Sequence, residues 1–367
     1  MVSARPDFVD RTRELADLRR LADRGAPDLI LIYGRRRVGK TYLLDHAWQG
    51  RRLFYFLAAN VPDRLNREEL LRELSAWLGE SLDPRDYPTW RTVFRLFVNL
   101  AGQGSLIVVL DEFQYLLGHE DDIVSQLVAV WDREVGSLPL TLALSGSEVS
   151  TMEVLQHGGQ PLYGRPTWSA RIRPFDYRDA ALMVPGREAR EAAMVFGIFG
   201  GTPRYLAAID QQGPLRGNIV RTLLSPNGEV YLQLQTLIEQ ERGIRETGEY
   251  RAVLAAVAGG KTTLNEITLG AGLADRAHIA RRALEILEGL ELVGRERNFD
   301  AADKAPYRYF IADQAVRFWY RFVFPNRSRL ERGDVEAVWT HEVQPHLDGY
   351  MGKAFETICR DAYARYH

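Results

Sequence analysis

Residues 34–41 read Gly-Arg-Arg-Arg-Val-Gly-Lys-Thr, immediately after the apolar run LILIY (29–33) and immediately before a stretch of helical spacing. Strand, glycine-bounded loop and helix in that order form a phosphate-binding loop, G-x4-G-K-[ST]. Glycines let the backbone approach phosphate oxygens, and the helix N-terminus supplies unpaired N–H groups and partial positive charge. The motif therefore predicts a nucleoside triphosphate site built from Gly34, Val38, Gly39, Lys40, Thr41 and Tyr42. Lys40 reaches the β and γ phosphates in this reading, and Thr41 ligates Mg²⁺. Of Arg35, Arg36 and Arg37, one touches nucleotide or an adjoining domain, or all face solvent.

The surrounding pattern fits that loop. Apolar runs at 29–33, 53–57, 106–110, 140–145 and 169–172 alternate with amphipathic stretches at 41–48, 67–78, 89–100, 123–135 and 149–155. Continuous apolar strands alternating with helices predict an α/β fold, a parallel sheet covered on both faces in a three-layer P-loop core. The third run ends in Asp111-Glu112. At a strand tip beside the loop, Asp111 would hold Mg²⁺ through water and Glu112 would polarise the attacking water, which points to hydrolysis. The fourth run ends in Ser145, Gly146 and Ser147. Ser145 is the candidate sensor of the γ-phosphate or lytic water; a serine capping the next helix is the plainer alternative.

Composition limits the partners. With 47 basic and 49 acidic side chains, nucleic acid or membrane can be met only by a local patch. Only four of the basic residues are lysines, and Lys40 is one of them. A compact ammonium suits the space between phosphates better than a planar guanidinium. Cys359 is the only cysteine, which excludes an intrachain disulfide and a cysteine-based zinc site. The N-terminus lacks the apolar run of a signal peptide, and no apolar string approaches the ~20 residues of a membrane span. The expected location is the cytoplasm.

Beyond Arg173 the strand signal fades, and helical spacing recurs at 176–183, 187–199, 204–211, 219–224 and 231–242, with GGTP at 200–203 breaking it. From Glu249 three short helices precede two candidate strands, LVGRERNF (292–299) and YRYFIAD (307–313), joined by the polar DAADKAP. That order predicts a winged helix-turn-helix. Arg276, His278, Arg281 and Arg282 cluster on its candidate recognition helix, where they either meet DNA or form a solvated or docking face diluted by Glu285 and Glu288. The expected domains are a P-loop core (1–180), a helical lid (181–245), the winged helix (246–325) and a C-terminal helical segment (326–367).

The ordered set FVDRTREL, GRRRVGKT, VVLDEFQYL, LALSGSEVSTMEVL, PLYGRP and FGGTPRYL resembles the archaeal and bacterial P-loop ATPases of the STAND division, within the AAA+ class. The resemblance covers nearly the whole chain. It implies ATP/ADP and Mg²⁺ as cofactors, with nucleotide held between core and lid, and hydrolysis driving a conformational switch. It implies that Phe8, Val9 and Arg11 line the adenine pocket, although Asp10 stands where the division usually has glycine. A hydrophobic staple and cap on the first helix is the alternative. Gly201 and Pro203 match the lid's glycine–proline motif, or mark an interhelical turn. Arg165 matches a position that reaches the γ-phosphate of its own or a neighbouring subunit, which makes a homo-oligomer or a protein partner an expected associate. Such chains often continue into a PD-(D/E)XK-like nuclease domain, whose opening helix GYMGKAFETICRDAY resembles, with Glu356 at the first acidic position. The remaining metal-binding strand of that domain is absent from 1–367. Beside a switch ATPase stand three other readings: a DNA-binding regulator, the ATPase part of a DNA-processing enzyme, and a scaffold holding ADP.

Overall fold

The computed structural model describes residues 8–118, 122–239, 247–297 and 307–366. The expected polar wing tip, the end of the 231–242 helix and the 245/246 domain boundary lie outside these residues. The chain forms two compact units, one spanning Arg11–Arg173, the other joining residues from Pro174 onward to those preceding Arg11.

The first unit is the α/β layer structure. Its elements are α1 (Thr12–Asp23), β1 (Asp28–Tyr33), α2 (Lys40–Ala47), β2 (Leu53–Leu57), α3 (Asp63–Leu78), α4 (Trp90–Ala101), β3 (Leu106–Asp111), α5 (Ile123–Val130), β4 (Leu140–Gly146), α6 (Val149–Val154) and β5 (Trp168–Arg171). All five strands are parallel, in the order β2-β3-β4-β1-β5. The central strands are almost continuously apolar, Asp28, Asp111, Thr141 and Ser145 being polar exceptions, because both faces are covered: Leu29 and Leu31 join one core, while Ile30 and Ile32, pointing oppositely, are just as completely buried. That core takes Phe54 and Phe56 from β2, Val108 and Leu110 from β3, and Trp90, Phe94 and Phe97 from α4. Thr89 starts α4 with a reciprocal cap, its hydroxyl accepting from the Thr92 amide. The helix expected over 123–135 ends as α5, and Trp131–Val135 continues as a π turn.

The parallel register sets what meets what. Loop 34–39 follows β1, Asp111 closes β3, and Gly146 closes β4, so all three cluster at the carboxyl edge of the sheet, the usual ligand edge of open α/β folds. Segments preceding β5 lie at the opposite edge, where the Thr167 amide donates to the Leu29 carbonyl at the start of β1.

Among its described residues the second unit is helical apart from one hairpin. Helices α7 (Tyr177–Leu182), α8 (Ala189–Phe199), α9 (Pro203–Ala207), α10 (Leu215–Ile219) and α11 (Glu229–Gln235) precede α12 (Thr247–Ala258), α13 (Leu264–Gly270) and α14 (Ala277–Gly289). Strands β6 (Val293–Glu296) and β7 (Arg308–Ile311) pair antiparallel, completing the expected helix–helix–helix–hairpin order. The aromatic segment FWYRFVFPNRSRLERGD, to which sequence periodicity assigns no element, is helical. Helices α15 (Gln314–Phe318), α16 (Arg327–Glu331) and α17 (Val335–Val338), with π and 3-10 turns between, lead into α18 (Leu347–Tyr366). Phe318, Trp319, Phe322 and Val323 are buried on several sides at once, which erases the one-sided periodicity of a surface helix. Tyr350 of α18 donates to the carbonyls of Gly197 and Gln314, tying the C-terminal helix to this core. Among the described residues, no helix is long and apolar enough to cross a membrane.

Candidate functional site

The loop leaves β1 through Gly34, whose position admits no side chain: a Cβ there would sit 2.1 Å from the Ile172 carbonyl oxygen. Gly34 donates to the Gly146 carbonyl at 3.3 Å, so the loop is anchored to the β4 tip. Gly39 caps α2 with a left-handed backbone. Arg37 is left-handed too (φ 72°), a conformation that costs a side-chain-bearing residue about 1 kcal/mol. Val38 is buried and pins the loop to the unit. Lys40 is itself buried, its Nζ donating to the carbonyls of Gly34 (2.7 Å) and Arg35 (3.2 Å) and so spanning the loop it closes. Arg36 donates to the Tyr115 hydroxyl at 2.6 Å, and Tyr42 stacks on His46 one turn along α2.

Two hydrogen-bonded groups extend from this loop across the strand tips. In the first, the Thr41 hydroxyl donates to Asp111 Oδ2 at 3.0 Å, and the Tyr55 hydroxyl donates to the same oxygen. Burial, then the negative charge of Asp111, pushes the Tyr55 phenol well above its ordinary range, so it stays a donor. In the second group, Glu112 follows with a left-handed backbone (φ 53°), and its amide donates to Asp111 Oδ1 at 2.9 Å. Glu112 Oε2 accepts from the Ser147 hydroxyl at 2.6 Å and from the Gln114 amide. The structure thus brings Lys40, Thr41, Asp111 and Glu112 to one edge, from a loop, a helix and a strand tip.

The donor set suits Mg²⁺. Thr41 and Asp111 supply hard oxygens of the kind Mg²⁺ takes, brought together by their 3.0 Å hydrogen bond, and would hold the ion directly or through water. Among the described residues, no group of three or more His, Cys, Asp or Glu could hold a metal ion on its own.

Other sequence candidates are placed differently. Ser145 lies inside β4, paired in register with Ile32, and its buried hydroxyl has no hydrogen-bond partner among the described residues. Ser147, one glycine further, makes the contact with Glu112. Arg165 stands at the edge opposite the phosphate loop. It forms a bidentate pair with Asp132 (2.8–3.2 Å), holding that carboxyl below its ordinary value, and also donates to the Pro161 carbonyl. Arg11 stands at the N-cap position of α1 without a side-chain cap, and its guanidinium donates to the Arg173 carbonyl. Val9 packs on the apolar core of the helical unit, to which Phe8 also belongs. In that unit, Pro203 opens α9 and the Gly201 carbonyl accepts from the Phe175 amide at 2.7 Å, so GGTP serves as a closely packed interhelical turn there. On the winged helix, Arg276 is ion-paired with Glu249 at 2.7 Å, while Arg281 and Arg282 are exposed on α14. Arg295 and Arg297 lie over the Tyr307 ring on the wing.

Sequence reasoning passed over Tyr55, Gln114 and Ser147. Tyr55 sits mid-strand in an aromatic run and reads as core. Gln114 lies two residues past the acidic pair, and the Ser-Gly-Ser triplet offered two hydroxyls; the intervening glycine was the available signal.

A sequence family described as an ATPase domain predominantly from Archaea matches residues 8–209. A second, described as archaeal and bacterial proteins of unknown function, matches residues 319–366. The uncharacterized protein MJECL04 of Methanocaldococcus jannaschii is 26% identical over 361 residues, covering 96% of this chain and 76% of that protein. Among solved structures, the Walker-type ATPase PABY2304 of Pyrococcus abyssi matches with a TM-score of 0.62 and 22% identity, over 86% of this chain and 97% of its own. The Aeropyrum pernix ORC2 protein matches with a TM-score of 0.56 and 14% identity, over 90% and 98%. Both likenesses bear on the fold.

Proposed function

Since the chain belongs to the family of ATPase domains found predominantly in Archaea, we propose that it binds Mg²⁺-ATP at residues 34–41 and hydrolyses it with Asp111 and Glu112. Lys40 meets the β and γ phosphates, and the loop amides at the start of α2 cradle them. Thr41 and Asp111 hold Mg²⁺, which supplies charge neutralisation at the phosphates. Glu112 takes a proton from water as its oxygen attacks the γ-phosphorus. The bond to the β–γ bridging oxygen breaks, and ADP leaves with that electron pair. The observation that carries this reading is the 3.0 Å bond between Thr41 and Asp111, 70 residues apart in sequence and joined at one strand edge beside Glu112. The similarly folded ORC2 protein is described in ADPNP and ADP complexes, which supports a nucleotide-binding role here.

We assign the chain to the STAND-type switches of the cytoplasm, with the core, lid, winged helix and C-terminal segment divided near residues 180, 245 and 325. Hydrolysis relaxes the ATP-bound arrangement, and turnover is slow. Phe8, Val9 and Arg11 serve the adenine, Gly201 and Pro203 the lid, and Ser145 the γ-phosphate side. Arg165, at the sheet edge away from its own loop, serves the nucleotide of a neighbouring copy. A second reading, regulated DNA binding, is favoured by the exposed Arg281 and Arg282 and by the arginine–aromatic wing at Arg295, Arg297 and Tyr307.

Steady-state phosphate release from the wild type and Glu112→Gln, with and without duplex DNA, tests the reading. Expected is release by the wild type and a fall of at least 100-fold in Glu112→Gln. Equal background release from both under every condition refutes hydrolysis.

A further inference from the structure

We infer that Gln114 is a positioning residue for Glu112, acting together with Ser147 as a bridge between the tips of β3 and β4. The inference rests on the hydrolytic reading of Glu112. Gln114 lies in the 3-10 turn Phe113–Leu116 and is only 2% exposed. Its side-chain amide is used from both ends: Oε1 accepts from the Ser147 backbone amide at 3.2 Å, and Nε2 donates to the Ser147 hydroxyl at 3.1 Å and to Glu112 Oε2. The Ser147 hydroxyl donates in turn to Glu112 Oε2 at 2.6 Å. A buried primary amide is costly unless its groups are bonded, and an apolar side chain of the same shape would fill the space without that requirement. What the amide adds is direction.

Two further observations bear on the same group. Gln114 approaches β4 beside Gly146, where a Cβ would come within 2.8 Å of Gln114 Oε1 and 2.5 Å of Met152 Sδ and would have to push one of these side chains aside. Glu112 itself holds a left-handed backbone, a conformation that persists in a residue with a side chain only when its surroundings over-determine it. The arrangement also divides the carboxylate. Oε2 receives both donors, whereas Oε1 accepts none among the described residues and is left to take the proton of water. Neither Gln114 nor Ser147 has to touch the nucleotide for this; each acts through Glu112. Ser147 follows Gly146, whose carbonyl accepts from Gly34, so the bridge is continuous with the phosphate loop.

The test compares wild type, Gln114→Met, Ser147→Ala and Glu112→Gln in phosphate release, in binding of a fluorescent ATP analogue, and in melting temperature. Gln114→Met keeps the volume and removes both hydrogen-bonding ends. Expected is a 10- to 100-fold fall in kcat, with KM and analogue affinity within about threefold of wild type, and a smaller fall of the same kind in Ser147→Ala. In single-turnover assays, Gln114→Met in the Glu112→Gln background should add less than a twofold loss, because the group it positions is already gone. A Gln114→Met protein as fast as wild type, while Glu112→Gln is inactive, overturns the positioning role and leaves the hydrolytic reading standing. Loss of analogue binding equal to the loss of rate overturns it too, since the residue then shapes the pocket. If Gln114→Met does not fold, Ser147→Ala decides by the same split between kcat and KM. A Glu112→Gln protein with wild-type turnover refutes the hydrolytic reading itself.

Discussion

The carboxyl edge of the parallel sheet and the outer face of the winged helix are both rich in charge, and they use it in opposite ways. At the sheet edge Lys40, Asp111 and Gln114 are buried, and each is bonded to atoms from another element. Around the winged helix the charges are exposed or half-buried, and several pair with near neighbours: Arg276 with Glu249, Arg295 with Glu288, and Arg360 of α18 with Glu296. A buried polar group must find its partner or forfeit its desolvation, so its geometry is specified. An exposed ion pair contributes little and tolerates rearrangement. Chemistry with sub-ångström demands belongs to the first region, adaptable contact to the second.

That contrast can be broken by substitution. The largest effect is expected of Gly34→Ala, whose Cβ would press on the Ile172 carbonyl. It should destabilise the α/β unit by about 3 kcal/mol and abolish nucleotide binding, read by denaturant unfolding and calorimetry. Lys40→Ala should keep the fold and weaken ATP binding on the order of 100-fold; unchanged affinity would remove the loop from the site. Tyr55→Phe frees Asp111 from the phenol and should lower the Mg²⁺ concentration for half-maximal turnover about threefold, with little change in stability. Arg281→Ala with Arg282→Ala should shift stability by less than about 0.5 kcal/mol, whereas any DNA affinity would lose about two units of its salt slope. A destabilisation like that of Gly34→Ala would erase the contrast.

The smallest effect concerns the cap of α13. Backbone amides of Thr263 and Thr262 hold the Glu266 carboxyl down to about 2. A folded value below the unfolded one stabilises the fold above the unfolded pKa, and the contribution is lost as pH falls toward 2. Glu266→Gln should therefore flatten the stability profile between roughly pH 4.5 and 2, measured by thermal melts across that range.

Local features were legible from residue order because their causes are local. A phosphate loop needs its glycines, lysine and threonine within eight positions, and a strand buried on both faces is largely apolar, so 34–41, Asp111-Glu112 and the central strands β1, β3 and β4 could be read directly, while the partly buried β2 and β5 were placed by short runs alternating with helical stretches. The helix–helix–helix–hairpin order was legible for the same reason. What periodicity missed was the run of helices over 314–346, whose aromatic residues are buried on more than one side and carry no single stripe.

Tertiary structure alone decided which side chains meet. The strand order β2-β3-β4-β1-β5 sets β3 between β2 and β4, and so brings Tyr55 to Asp111 and Ser147 to Glu112. It sends Arg165 to the edge opposite the phosphate loop with which the resemblance associates it. Residue order carries spacing along one chain; hydrogen bonds of about 3 Å between separate strands depend on register and sheet order, which no local pattern encodes. The phosphate loop is thus a local fact, and the carboxylate bridge beside it is a tertiary one.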